Sequence, residues 1–198
     1  MRNALLIFIT SILLFVSCSP RDMLSRRLAT DLIAASDGFN APQQFLLRTG
    51  VLTNKDYAAP EYLVLQHKGW ISASTVACSA NLGPPPCWDV LLTPSGVETV
   101  RSLVSSQEAT KPAITLPVAK RELVSINGIS KDGSVADVEF TWKWEPLNEV
   151  GGSLYSSDLR YKSIVGFRKF DDGWRVLQSS AHSNQTIEEA LKNAEPTS

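Results

Sequence analysis

The chain has 198 residues, with 19 Lys and Arg against 20 Asp and Glu and a formal charge of −1. That balance excludes a strong field for gathering nucleic acid or anionic lipid. The length suits one mid-sized domain or two small ones, and the sequence holds no low-complexity tract or internal repeat.

Arg2 precedes an apolar run of 13 residues, Ala4 to Val16. A bilayer-spanning helix needs roughly 20, so the run reads as the core of a secretory signal peptide. It ends in Phe15-Val16-Ser17-Cys18. This stretch resembles the lipobox of bacterial lipoproteins, although Phe15 stands where Leu is usual and Leu14 lies one step further out. The resemblance implies cleavage before Cys18 and acylation of the new N-terminal cysteine. One acyl chain binds a bilayer marginally, whereas two or more hold it stably. By the same resemblance, Ser19 in place of Asp favours delivery to the outer membrane, facing the periplasm. Two other readings are an ordinary signal peptide cut near Ser17 or Ser19, and an uncleaved anchor.

Cleavage there leaves 181 residues with a formal charge of −2. Three cysteines are an odd number for an exported chain. Once Cys18 is set aside as the lipid site, Cys78 and Cys87 remain as one pair flanking a Pro-rich loop. An oxidising compartment favours a disulfide between them, worth roughly 2–3 kcal/mol. The alternative is two separate thiols. The only histidines, His67 and His182, are far apart, so no metal site is expected. No cofactor is expected beyond the covalent lipid on Cys18.

Residues 19–42 read as a helix, with Leu24, Leu28 and Leu32 at every fourth position and Met23 and Ile33 beside them. Gly38 is its expected stop, and Arg26, Arg27 and Asp31 form its solvated face. Pro42 to Thr49 fits a second short helix, with proline at its start and Gly50 past its end. A third helix starts at Pro60 and ends near Gly69. Trp70 to Cys78 alternates as a strand, and Trp88 to Leu92 is the next. Thr93 caps a further helix with Pro94 at its first position and Val97, Val100 and Val104 on its apolar stripe.

Helices, a two-stranded hairpin and a helix opening at a Leu-Thr-Pro-x-Gly turn resemble a winged-helix module. Leu65 to Ile71 and Leu91 to Gly96 carry the resemblance, which covers about residues 42–104. Cys78 and Cys87 would then staple the wing. Residues 43–104 hold four basic and four acidic side chains. A DNA reader needs an excess of Lys and Arg, so the lobe reads as structural or protein-binding, with no nucleic-acid partner.

Residues 105–117 read as a linker. Beyond them lies an antiparallel sheet. Its first strand spans about Val118 to Ile126, with a turn or bulge at Asn127-Gly128 and a turn at Lys131-Asp132-Gly133. In the next strand Ala136, Val138, Phe140, Trp142 and Trp144 share one face; Asp137, Glu139, Thr141, Lys143 and Glu145 share the other. Gly151-Gly152 reads as a loop. Lys162 to Phe170 and Trp174 to Ser180 form a hairpin across Asp171-Asp172-Gly173. Thr186 and Glu189 make a capping box for a last short helix. The terminal hairpin, Phe167 to Val176, resembles that of cone-shaped α+β domains of the nuclear-transport-factor-2 type.

The expected fold is therefore α+β: a helical, winged-helix-like N-terminal lobe, then a small twisted antiparallel sheet with a short C-terminal helix. Its expected divisions are a signal peptide (1–17), an anchored helical lobe with a stapled hairpin (18–104), a linker (105–117) and a β lobe (118–198). The row Phe140, Trp142, Trp144 is either the core face of its sheet or the lining of a ligand pocket, with Trp142 and Trp144 as contact residues. Asp171 and Asp172 suit turn geometry, and His182 reads as a surface histidine. No Gly-x-Ser-x-Gly elbow or phosphate loop is present. Three functions compete: a non-enzymatic envelope lipoprotein with a protein partner, a small-ligand-binding lipoprotein using Trp142 or Trp144, and a cone-type enzyme using Asp171 or His182.

Overall fold

The computed structural model describes residues 23–197 apart from 81, 106, 110 and 178–184. Cys18 and His182 lie outside the described residues. Strand outweighs helix, and a curled antiparallel sheet shaped as a half-barrel dominates. This corrects the expected helical lobe followed by a small sheet.

The sheet is built on two long strands, β5 (Ala113–Asp132) and β6 (Val135–Pro146). They pair with β1 (Gln43–Arg48), β7 (Arg160–Phe170) and β8 (Gly173–Val176) in the order β1-β5-β6-β7-β8, and β9 (Glu195–Thr197) also pairs with β7. Register shifts at Leu123/Ser125 and Ile126/Gly128 bulge β5. Bulges bend the bulged strand and increase its twist, which curls the sheet.

Alternation along β6 places Ala136, Val138, Phe140 and Trp142 on the concave face, all buried. Three helices fill that face: α1 (Arg26–Ala35), α2 (Asp37–Asn40) and, late in the chain, α7 (Ile187–Lys192). They contribute Ala29, Ile33, Phe39, Ile187 and Ala190 to the same core. Ser25 caps α1, and the expected capping box of Thr186 and Glu189 opens α7. Gly38 lies inside α2, which begins directly after α1, rather than ending a single helix. Arg26 is not merely solvated, since its guanidinium donates to the carbonyls of Ile126 and Asn127.

A smaller sheet of order β2-β4-β3 joins β2 (Gly50–Thr53), β3 (Ile71–Val76) and β4 (Cys87–Leu92). The short helices α3 (Asn54–Tyr57) and α4 (Pro60–His67), with the later α5 (Pro94–Leu103), cover it. Thr93 caps α5 through the Gly96 amide, with Pro94 at the first position as expected. The second core includes Leu52, Leu65, Trp70 and Val90 from this lobe and Leu47, Ile114, Leu116 and Val118 from β1 and β5.

The expected helix at Pro42–Thr49 is instead strand β1, and residues 113–117 of the expected linker are the start of β5. The two pair in register, Leu47 opposite Ile114 and Phe45 opposite Leu116. The large sheet thus takes strands from both sides of the small lobe. The last correction concerns Gly151-Gly152, expected as a loop. They sit inside α6 (Glu149–Leu154), capped by Asn148, which accepts from the Gly151 amide and donates to the Pro117 carbonyl.

Cys78 and Cys87 form a disulfide, with Cα atoms 5.2 Å apart. It closes the tip of the β3–β4 hairpin just beyond the pair Val76 and Cys87. Cys78→Ser is expected to lower stability by about 2–3 kcal/mol, read as a lower melting temperature without reductant. An unchanged melting curve would remove the bond from the stability of the lobe.

Candidate functional site

Trp142 and Trp144 meet at one end of the concave face. Cross-strand register sets Leu123 opposite Trp142 and Arg121 opposite Trp144. Trp142 is 2% exposed, and its indole N–H donates to the Ser163 hydroxyl at 3.0 Å. Tyr161 stacks on it at 4.7 Å, and Trp144 meets it edge-on at 5.1 Å. Trp144 is partly buried and packs against Tyr155 at 5.1 Å.

The Arg121 guanidinium lies 4.8 Å from the Trp144 ring and 5.8 Å from that of Trp142. A cation over an indole face is attracted by the ring quadrupole, more strongly when water is excluded. One terminal nitrogen of Arg121 donates to the carbonyls of Gly38 and Ala41, at 3.1 and 3.3 Å. Its Nε is buried and has no hydrogen-bond partner among the described residues. Burial lowers the Arg121 pKa, and arginine stays charged regardless. Burial, with Glu61 second, raises that of Tyr155. The cluster therefore clamps α2 and the residues after α6 onto the sheet. Trp142 has already spent its one polar handle on Ser163, and Arg121 and Tyr155 both pack on Trp144.

Arg121 was not foreseen from the sequence. Its signal is local: it shares a strand face with Ala119 and Leu123, so a charge sits at a position where alternation calls for an apolar side chain.

The remaining candidates are dispersed. Asp171 and Asp172 occupy the exposed β7–β8 turn. Asp172 holds an ion pair with Arg175, whose hydrogen bond lowers the carboxyl pKa. His67 is exposed in the last turn of α4. Among the described residues, no group of three or more His, Cys, Asp or Glu side chains is placed to hold a metal, and no helix is long and apolar enough to cross a membrane. An apolar cavity of about 10 Å³ lies between the small lobe and β5, lined by Leu65, Trp70, Val100, Leu116 and Val150 among others. It has room for one water at most.

On the outer face of the small sheet, Val51 and Leu91 are diagonal neighbours, through the pairing of Val51 with Asp89. They are 44% and 54% exposed. No protein-family model, curated protein or solved structure matches the chain.

Proposed function

We propose that the protein is a non-enzymatic bacterial envelope lipoprotein. Acyl chains on Cys18 hold it at the periplasmic face of the outer membrane, and its disulfide-stapled lobe meets a protein partner. The carrying observation is the cysteine inventory. Cys78 and Cys87 are joined, which leaves Cys18, at the end of a lipobox-like leader, as the remaining cysteine of the chain. A disulfide suits an oxidising compartment such as the periplasm.

The small lobe supports the reading of a partner contact. Val51 and Leu91 give it an exposed apolar pair beside Asp89, Ser72 and Ser74 on the same face. A small apolar centre with a polar rim suits a protein contact. The ligand-binding reading draws less support, because Trp142 is buried with its N–H committed to Ser163.

Cys18→Ser tests the anchor. After a high-salt wash, which removes contacts held by charge alone, the expected result is a shift of the protein from the membrane fraction to the soluble fraction with its melting temperature unchanged. Full retention in the membrane fraction through that wash would overturn lipid anchoring.

A further inference from the structure

Helix α1 lies along β5 in a known direction. Arg26, at its start, bonds the carbonyls of Ile126 and Asn127, and Gly38, after its end, receives Arg121. The helix therefore runs antiparallel to β5, and its start points toward the β5–β6 turn at Gly133 and Ser134. The β7–β8 turn lies at the same end, because the Lys169 amide donates to the Ser134 carbonyl. The small lobe and the start of β5 lie at the opposite end.

The formal charge of the whole chain hides what collects at this hairpin end. Lys131, Arg168, Lys169 and Arg175 stand on the two hairpins, and Arg26 and Arg27 stand at the start of α1. The acids there are Asp132, Asp137, Asp171 and Asp172, the last tied to Arg175, with Glu139 further in and held by Lys162. Asp132, Val135, Arg168 and Arg175 form one cross-strand row. Phe170 is 42% exposed, with Arg175 at 4.9 Å and Arg168 at 5.9 Å from its ring. Met23 is 69% and Val135 37% exposed. Exposed apolar side chains set among cations suit the boundary between headgroups and acyl chains.

We infer that this hairpin end is a second, direct contact with the bilayer, in which Phe170 and the surrounding cations take anionic phospholipid headgroups. The inference deepens the lipoprotein reading and rests on it. Chain length agrees: the residues from Cys18 to Met23 reach at most about 17 Å, and Asn127 to Asp132 spans about the same along β5. A lipid on Cys18 can thus set the hairpin end on the membrane, and the small lobe, at the opposite end, then faces away from the bilayer.

The test uses the full mature chain with Cys18→Ser, so that no acyl chain contributes. It is sedimented with vesicles containing phosphatidylglycerol and, separately, with pure phosphatidylcholine vesicles. The expected result is binding to the first, weakened by salt, and little to the second. Adding Arg168→Gln and Phe170→Ser is expected to lower binding about tenfold, with an unchanged melting temperature. Lys120→Gln with Lys162→Gln, away from the hairpin end, is expected to leave binding unaltered. Equal binding to both vesicle types, or equal binding by the Arg168/Phe170 variant, would overturn the contact. The mass of the native membrane-extracted protein reports acylation alone. A missing acyl group with vesicle binding intact would therefore sink the anchor and spare the hairpin contact, and the reverse pattern would do the opposite.

Discussion

Gly151→Ala destabilises the protein by about 3 kcal/mol or more, at or beyond the upper end of the usual overpacking cost. A Cβ at Gly151 would stand 1.7 Å from the Val118 carbonyl oxygen and 2.8 Å from its carbon. The obstacle is backbone, so no rotamer change relieves it. That same oxygen accepts from the Leu147 amide at 2.9 Å, and Asn148 clamps the adjacent Pro117 carbonyl at 2.6 Å. Helix α6 must lift off β5 or its cap must break. Val150, buried in the second core, and Tyr155, packed on Trp144, lift with it. The neighbouring residue is the control. Among the described residues nothing lies within 4 Å of the would-be Cβ of Gly152, so Gly152→Ala is expected to be neutral or to stabilise by up to ~1 kcal/mol through helix propensity. Urea unfolding of both variants checks the pair, and equal midpoints would mean that α6 does not sit on β5 as described. The same device recurs at Gly96, the third residue of α5, over the Trp70 carbonyl that also accepts from Thr93.

Phe140→Ala costs about 3–5 kcal/mol. Its side chain is fully buried at the centre of the concave face and meets the Phe39 ring edge-on at 6.1 Å. Phe39 is carried by α2, a four-residue helix tied to the sheet through Arg121 at Gly38. Removing the ring leaves a cavity that α2 has little freedom to fill, because Arg121 and Ile187 pin it from two sides. Glu139→Gln, one residue away on the opposite face, removes only a half-exposed pair with Lys162 at 2.9 Å and is expected to cost less than about 1 kcal/mol. Chemical denaturation separates the two, and a cost below 1 kcal/mol for Phe140→Ala would contradict the filled half-barrel.

The contrast between β6 and β1 shows what the sequence made legible. In β6 an apolar row alternates with charges, so period two is visible within the strand itself. The caps at Thr93 and Thr186 were equally legible, because capping is chemistry within a few residues. Gln43–Arg48 and Ala113–Pro117 read locally as helix and linker but are strands, for one shared reason. Each is a strand because of the other, and 64 residues, 49–112, lie between them. Pro42 and Gly50 imitate helix signals locally, and Pro112 and Pro117 imitate a loop; only the distant pairing resolves both. Gly151-Gly152 likewise looked like a loop, although glycine there serves a close approach of helix to strand.

The candidate site was legible in part. The shared face of Trp142 and Trp144 followed from alternation. The register that brings Arg121 onto Trp144 depends on two bulges in β5, and bulge positions are not written in an apolar pattern. The Cys78–Cys87 bond was more legible than any side-chain cluster, since three cysteines allow few pairings and these two flank one short loop.

The envelope-lipoprotein account is tested most directly by the intact mass of the native protein extracted from membranes, with and without reductant. The account predicts a chain beginning at Cys18 with acyl mass added, and a gain of two hydrogens on reduction as Cys78 and Cys87 separate. An unacylated chain that retains residues 1–17 would contradict it.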